Sequence, residues 1–91
     1  MLPVQWLSAA RDNLAAIVSH IAEHNPDAAL SLQDDIEQAV SALPDHPYLY
    51  RRGRVPGTRE MVVHPNYYVV YRVKLTEIQV LRVLHARQQY P

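Results

Sequence analysis

The sequence has no cysteine and only two glycines among its 91 residues. Without cysteine it cannot form a disulfide framework, a thiolate nucleophile or a cysteine-based zinc site. Two glycines cannot build the glycine-rich loop that binds nucleotide phosphates, so enzymes that depend on such a loop are excluded. No apolar run approaches the roughly 20 residues that cross a bilayer, and the first residues lack the pattern of a secretory signal. We therefore expect a cytoplasmic protein without a membrane partner.

Hydrophobic residues make up 48% of the sequence and charged residues 20%, which is typical of a folded globular protein. A chain of this length supports one hydrophobic core, so we expect a single domain over residues 1–91. A domain of this size buries only about 60–65% of the surface that its unfolded chain exposes. Its stability margin is therefore thin, and a partner that binds only the folded state would stabilise it.

The zero net charge conceals two halves of opposite sign. Residues 1–45 contain one basic and seven acidic residues, and residues 46–91 contain eight basic and two acidic residues. Seven of those eight basic residues are arginines, which form forked hydrogen bonds with phosphates and carboxylates. The basic half is therefore expected to meet a polyanion or an acidic protein. In the alternative interpretation, the acidic half simply packs against the basic half and neutralises it.

The chain begins with a short strand candidate at residues 2–6, followed by a segment of helical periodicity. Pro3 has no amide hydrogen, so this strand is expected at a sheet edge. Ser8 is the predicted N-cap of the first helix. The apolar stripe of that helix consists of Leu7, Ala10, Leu14, Ile17, Val18 and Ile21.

A second helical segment follows the break at Asn25-Pro26, because the residue before a proline disfavours helix. Asp27 is predicted to accept hydrogen bonds from the first amides of this helix, and Pro44 is predicted to end it. The short connection predicts that the two helices form an antiparallel hairpin. The second apolar face consists of Ala28, Leu32, Ile36, Ala39, Val40 and Leu43.

The rest of the chain predicts a sheet. Residues 44–56 are rich in proline, tyrosine and arginine and are predicted to form a loop or a sheet edge. Three alternating segments follow at residues 58–63, Tyr67–Val73 and Ile78–His85, and their short connections predict antiparallel pairing. The expected fold is α+β, in the order β-α-α-β-β-β, with the helical hairpin packed on one face of an antiparallel sheet. The side chains predicted to face inward are Val62, Val69, Tyr71, Val80 and either Leu81 or Val83.

Metal-dependent and serine-dependent hydrolysis are both disfavoured. His20 and His24 have the i, i+4 spacing that can chelate zinc, but the sequence between them does not form an HExxH motif. Both fall mostly on the polar side of their helix, so we expect a solvated pair and no metal. The chain also lacks the GxSxG motif of a serine hydrolase. No cofactor is expected.

Metal-free cleavage of RNA is the chemistry that these residue types still permit. It needs a base, an acid and cations around the developing negative charge on phosphorus. The cations would come from Arg59, Arg82 and Arg87, and the proton carriers from His64, His85 or Tyr90. In the alternative interpretation, the strand arginines pair with Glu60 and Glu77 while His85 and Tyr90 pack at the sheet edge.

Five runs of residues stand in a characteristic order and spacing: HPYLY at 46–50, RVPGTREMVV at 54–63, HPNY at 64–67, YRV at 71–73 and VLHARQQYP at 83–91. In these runs the chain resembles the RelE/ParE toxin superfamily, most closely its ParE branch. The resemblance extends over nearly the whole chain, including the opening strand with Trp6 and the break at Asn25-Pro26.

This resemblance implies the toxin of a type II toxin–antitoxin module, held in a hetero-oligomer by a cognate antitoxin protein. The superfamily contains two activities. RelE-like members cut mRNA on the ribosome, with basic and acid–base residues on their sheet. ParE-like members poison DNA gyrase and have no nuclease activity. Toxicity is expected to depend on the C-terminal tail and the adjacent basic strands.

Single positions favour the ParE-like activity. Arg59 occupies the place of a phosphate-binding arginine, and Tyr90 falls near the terminal tyrosine of some nucleases of the superfamily. Where those nucleases have a histidine before that tyrosine, this chain has Gln89, whose amide cannot exchange a proton at neutral pH. RelE uses lysines, and the only lysine here is Lys74. The expected target-binding residues are Arg54, Arg59, His85, Arg87, Gln88, Gln89 and Tyr90. If the protein is instead a nuclease, the expected catalytic residues are Arg59, Arg82, His85, Arg87 and Tyr90.

Overall fold

A computed structural model describes all 91 residues as a helical hairpin packed on a five-stranded sheet. The sheet has the strand order β1-β5-β4-β3-β2. Neither helix has the length and hydrophobicity that a membrane span requires. The elements are β1 (Val4–Trp6), α1 (Ser8–Ala22), α2 (Pro26–Ser41), a 3₁₀ turn (Leu43–Asp45), β2 (Arg51–Arg52), β3 (Arg59–His64), β4 (Tyr67–Val73) and β5 (Ile78–His85).

The helical hairpin and the order of the predicted elements are confirmed, with one added strand, β2, in the segment predicted as a loop or sheet edge. The sheet is mixed rather than wholly antiparallel. Strand β1 pairs in parallel with β5, with Val4 opposite Ile78. The amide of Ile78 donates to the carbonyl oxygen of Pro3 at 2.9 Å, so Pro3 takes part through its acceptor alone. The strand lies at the sheet edge, as the missing amide hydrogen of Pro3 predicts.

Both helix starts differ from the predicted caps. Ser8 is the first helical residue rather than the N-cap of α1, and the residue before it makes no side-chain cap bond. Asn25 caps α2, because its side-chain oxygen accepts from the Ala28 amide at 3.1 Å. Asp27 instead lies in the first turn, where its carboxylate interacts favourably with the helix dipole. Pro26 at the first helical position needs no amide partner.

The main core lies between the hairpin and one face of the sheet. From α2 it takes Ile36 and Val40, and from the sheet it takes Met61, Val69, Tyr71, Val80 and Val83. The prediction for Val62 is wrong, since 59% of its surface is exposed and Met61 is buried in its place. Strand register explains the difference, because Met61 stands opposite buried Val69 whereas Val62 stands opposite Tyr68 on the other face.

The face of the sheet that points away from the helices carries a smaller apolar cluster, which we call the open-face cluster. It consists of Tyr68, Val70, Leu81 and Leu84, with Leu7 and Tyr90 packed against it. An irregularity in β5 places both Leu81 and Val83 in apolar surroundings. Val70 pairs with Arg82 and Tyr71 pairs with Val80, which leaves Leu81 as the extra residue of a bulge. Val83 therefore faces the helices, and Leu81 faces the opposite side.

Tyr71 is the largest fully buried side chain, and its titration is expected to set part of the alkaline limit of stability. Burial raises its pKa to about 12, against the opposing effect of the Arg59 cation. Between pH 10 and 12 the unfolded chain releases this proton while the folded protein retains it. The stabilisation that comes from the raised pKa of Tyr71 is thus fully present below pH 10 and is lost as the pH rises toward 12.

The variant Tyr71→Phe tests this contribution by urea unfolding across that pH range. The variant loses the bond from the phenol oxygen to the carbonyl of Pro47, 2.6 Å long, which lowers stability at pH 7 by about 1 kcal/mol. Its stability should then decline less steeply between pH 10 and 12 than that of the unchanged protein. Parallel declines in the two proteins would show that another group dominates.

Candidate functional site

A cleft of about 410 Å³ lies on the open face, between strands β2, β3 and β4 and the C-terminal tail, residues 86–91. We call it the tail cleft. It combines cationic, amide and aromatic side chains, the combination expected of a surface that binds a macromolecule. The lining residues are Arg51, Arg54, Glu60, Val62, His64, Pro65, Tyr67, Tyr68, Ala86, Gln88, Gln89 and Tyr90.

Among the hydrogen bonds that hold the tail, three involve side chains that line the cleft. The phenol of Tyr68 donates to the carbonyl oxygen of Gln88 at 2.7 Å. The backbone amide of His85 donates to the side-chain oxygen of Gln88 at 2.9 Å. On the other side of the cleft, the guanidinium of Arg54 donates to the side-chain oxygen of Gln89. The tail is therefore a fixed wall of the cleft.

The surroundings of Tyr68 disfavour its phenolate form. Burial raises the pKa of Tyr68, and the carboxylate of Glu60 raises it further, against the opposing effect of Arg51. These two charged residues form an ion pair of 3.0 Å at the rim of the cleft. Glu60 is thus paired with an arginine, as the alternative interpretation of the strand arginines expected, and its partner is Arg51 on β2.

Tyr90 closes the end of the cleft by packing on the open-face cluster. The guanidinium of Arg82 lies 5.6 Å from the centre of its ring, a cation–π contact, and donates to the carbonyl oxygen of Leu81 at 2.7 Å. Arg54, Arg82, Gln88, Gln89 and Tyr90 therefore share one face of the molecule. Arg87 is exposed on the same tail.

Arg59 does not belong to this cleft. Its guanidinium donates to the carbonyl oxygens of Tyr50 at 2.8 Å and Tyr48 at 3.2 Å, and it lies 5.2 Å over the Tyr48 ring. In the sheet it stands opposite Tyr71, a residue of the main core, so it points to the helix side. The side chain is held by loop 46–50.

His85 also points away from the tail cleft. It stands opposite Tyr67 in the sheet, and the two rings meet edge to face with their centres 5.4 Å apart. Its Nδ1 accepts the amide hydrogen of Arg87 at 3.1 Å, which leaves the proton of the neutral ring on Nε2. The neighbouring Leu84 belongs to the open-face cluster, so strand alternation directs His85 to the opposite side.

Sheet register gives the separation of Arg59 and His85. Their partners on β4, Tyr71 and Tyr67, are four residues apart, which is about 13 Å along the strand. Strands β3 and β5 flank β4 and lie about 10 Å apart across the sheet. The fold therefore does not bring Arg59 and His85 together, and it places both on the side of the sheet opposite Arg82 and Tyr90.

The remaining histidines form no evident metal centre. His20 and His24 are exposed, with their rings edge to face and 6.2 Å between centres. No group of three histidine, cysteine or carboxylate side chains is arranged to hold a metal ion. His64 lies at the rim of the tail cleft, where its Nδ1 accepts the amide hydrogen of Asn66 at 3.1 Å.

Sequence reasoning missed the cleft residues that come from β2 and from the outward positions of β3 and β4. Val62 was expected in the core, and Arg51, Glu60 and Tyr68 were given no role at the site. Alternation along β3 would have placed Glu60 and Val62 on one face, which is the signal that could have found them. The hydrogen bond of Tyr68 depends on the folded-back tail, for which the sequence has no periodic signal.

The variant Tyr68→Phe is expected to loosen the tail. It removes the donor to the carbonyl oxygen of Gln88 and leaves the packing of the ring intact. The free energy of unfolding should fall by about 1 kcal/mol, and the melting temperature by about 4–8 °C. Amide exchange in the tail should also become faster. Tyr48→Phe is the matched control, because it removes a hydroxyl from an exposed tyrosine. Equal melting temperatures for both variants would contradict the anchoring role of Tyr68.

Comparisons with known proteins agree with this architecture. A family model described as the ParE toxin of the type II toxin–antitoxin system parDE matches residues 4–90. The chain is 36% identical to Y4kP of Sinorhizobium fredii over 89 residues, which cover 97% of this chain and 92% of that protein. It is 32% identical to toxin RelE2 of Caulobacter vibrioides over 88 residues, which cover 94% of this chain and 97% of that toxin.

A solved structure shows the same fold at similar identity. A chain of the chromosomal ParDE toxin–antitoxin system from P. aeruginosa superimposes with a TM-score of 0.82 and is 30% identical. The match covers 93% of this chain and 96% of that one. Both helices and the sheet therefore have counterparts in a toxin–antitoxin system.

Proposed function

Since the chain belongs to the ParE toxin family of type II toxin–antitoxin systems, we propose that it arrests growth by poisoning DNA gyrase and that a cognate antitoxin neutralises it. The toxin role follows from membership of the family. The choice of gyrase over the ribosome depends on how the side chains of the candidate site are arranged.

The observation that carries the choice is the dispersal of the residues that a nuclease would need together. An acid, a base and a cation must lie within hydrogen-bond reach of one phosphodiester. Arg59 and His85 are separated by strand β4 across the sheet and by four residue positions along it, and both lie on the face opposite Tyr90. A protein-binding mechanism needs no such convergence, so it accords better with the geometry.

The tail cleft supplies what binding to a protein requires. Val62 is an exposed apolar side chain in its lining, and Arg54 adds a cation that the hydrogen bond to Gln89 holds in place. Aromatic side chains and arginines contribute most to the affinity of protein interfaces. We assign contact with the target to Arg54, Val62, Arg82, Arg87, Gln88, Gln89 and Tyr90. Arg59 and His85, expected at the target from the sequence, lie elsewhere.

The helical hairpin offers a separate surface for the antitoxin. A groove of about 650 Å³ lies on the hairpin, and its lining combines the apolar Trp6, Leu14 and Val18 with the charged Arg11 and Glu37. An amphipathic segment of the antitoxin would place apolar side chains in such a groove. Because the groove is on the hairpin and the tail cleft is on the opposite face of the sheet, the two partners meet different sides of the molecule.

Cells that express the toxin without antitoxin test the proposal. A poison that holds gyrase on cleaved DNA leaves double-strand breaks, whereas a ribosome-dependent nuclease leaves cut mRNA. We expect growth arrest with broken chromosomal DNA and intact reporter mRNA, relieved when the antitoxin is co-expressed. Growth arrest with cut mRNA and intact DNA would overturn the proposal.

One contact favours a ribonuclease as the second candidate. The guanidinium of Arg82 lies over the ring of Tyr90, beside the phenol of Tyr68, so a cation and two phenols meet on the open face. A phenol can protonate a leaving oxygen, and a guanidinium can stabilise a charged phosphorane. In this alternative Tyr90→Phe would remove mRNA cleavage on ribosomes.

A further inference from the structure

Two arginines stand directly opposite each other at the edge of the sheet. Arg52 on β2 is the register partner of Arg59 on β3. Residues that face each other on antiparallel strands have Cα atoms only about 4.5–5.5 Å apart, and like charges in that arrangement destabilise the sheet. The side chain of Arg52 makes no hydrogen bond or ion pair, and the sole salt bridge of the protein, Arg51–Glu60, lies on the other face. The pair therefore carries an uncompensated double charge.

Both arginines line one cavity of about 410 Å³, together with Tyr48 and Gly57. No acidic residue contributes to its wall. Arg59 is fixed there by the carbonyl oxygens of Tyr48 and Tyr50, which engage only its Nη1. Its other donors remain available, so it is oriented for an oxyanion before any ligand arrives. The cavity has the charge, the donors and the rigidity to bind a carboxylate or a phosphate.

The surroundings favour a carboxylate on a protein over a phosphate on a nucleic acid. Strand β2 is the last strand of the sheet, so its outer edge is open to an added extended segment. Beside the arginines, Tyr48 and Leu49 expose 65% and 70% of their surfaces. A segment that alternates apolar and acidic residues would meet both features, because successive side chains of a strand point to opposite sides.

We propose that the cavity formed by Arg52, Arg59 and Tyr48 binds a carboxylate side chain from an extended acidic segment of the antitoxin. The inference rests on the proposed function in one respect, since it takes the antitoxin as the source of the segment. The bound carboxylate neutralises the two opposed guanidiniums, and the backbone of the segment extends the sheet at β2. Binding of the antitoxin carboxylate by Arg52 and Arg59 adds to the apolar contacts that the antitoxin makes in the hairpin groove.

A labelled peptide of about ten residues in which Glu alternates with Val is the probe, titrated into the whole protein while its anisotropy is recorded. We expect saturable binding, and we expect Arg52→Gln to weaken it about tenfold. Arg51→Gln is the matched control, because it removes the same charge from the adjacent position but on the other face of the strand. That control should change the affinity less than about twofold, since exposed charges contribute little unless they contact the ligand.

Three outcomes would overturn the inference. One is the absence of saturable peptide binding up to about 1 mM. Another is equal weakening by Arg51→Gln and Arg52→Gln, which would indicate general electrostatic attraction. The last is preferred binding of a single-stranded oligonucleotide of equal charge, which would assign the cavity to phosphate. None of these readouts involves gyrase, so failure of the proposed target and failure of this site are separate results.

Discussion

Reversing the charge of Arg54 is expected to abolish growth arrest. Arg54 is exposed at the rim of the tail cleft and hydrogen-bonded to Gln89, so its guanidinium is held where a target would meet it. Arg54→Glu places a second carboxylate in a cleft that already contains Glu60. Loss of a central contact at a protein interface commonly weakens binding about 100-fold, which corresponds to about 2.7 kcal/mol.

The measurement is the inducer concentration that halts growth when the toxin is expressed without antitoxin. Arg11→Glu is the control, since it reverses one exposed charge on α1, on the opposite side of the sheet. It should leave growth arrest unchanged, and both variants should retain the melting temperature of the unchanged protein. Full toxicity of a folded Arg54→Glu variant would remove the tail cleft from the mechanism.

The second large effect is a loss of stability, expected from a substitution in the core. Ile36 is completely buried on α2 and belongs to the cluster between the helices and the sheet. Replacing it with alanine leaves a cavity, and such substitutions cost about 2–5 kcal/mol. Domains of this kind have a total stability of about 5–15 kcal/mol, so Ile36→Ala removes a large part of it.

Leu30→Ala provides the control for that substitution, because Leu30 lies on the same helix with 60% of its surface exposed. Urea unfolding should give a change within about 0.5 kcal/mol for Leu30→Ala and a loss of several kcal/mol for Ile36→Ala. Alanine has the highest helix propensity, so neither substitution weakens the helix itself. Similar losses at both positions would contradict the role of burial against the sheet in the stability of α2.

The regular elements could be predicted because their residues repeat at the period of the structure. The apolar stripes at spacings of three and four placed Leu14 on α1 and Ile36 on α2, and alternation placed Val69 and Tyr71 on the inner face of β4. Pro3 and the break at Asn25-Pro26 predicted an edge strand and the hairpin connection through backbone restrictions that act locally.

Pairing between distant strands could not be predicted in the same way. Whether β1 runs parallel to β5 depends on how the hairpin crosses the sheet, which no local pattern records. The bulge at Leu81 and the irregularity between Val62 and His64 change which side chains face inward by a single residue. The error at Val62 follows from this sensitivity.

The candidate site was only partly predictable for a related reason. The sequence identified Arg54, Gln89 and Tyr90 as members of one site, and the folded-back tail does place them around the cleft. It also grouped Arg59 and His85 with them, from residue type and from the resemblance to the superfamily. Strand alternation sends both of those side chains to the other face, so chemical type without register was an insufficient guide.

The most direct test of the account is to add purified toxin to purified gyrase and, in parallel, to ribosomes programmed with mRNA. We predict that the toxin blocks supercoiling of relaxed plasmid, that antitoxin restores it, and that the mRNA remains intact. Arg54→Glu should lose the inhibition while Arg11→Glu keeps it. Unimpaired supercoiling together with cleavage of the ribosome-bound mRNA would contradict the account and assign the open face to RNA.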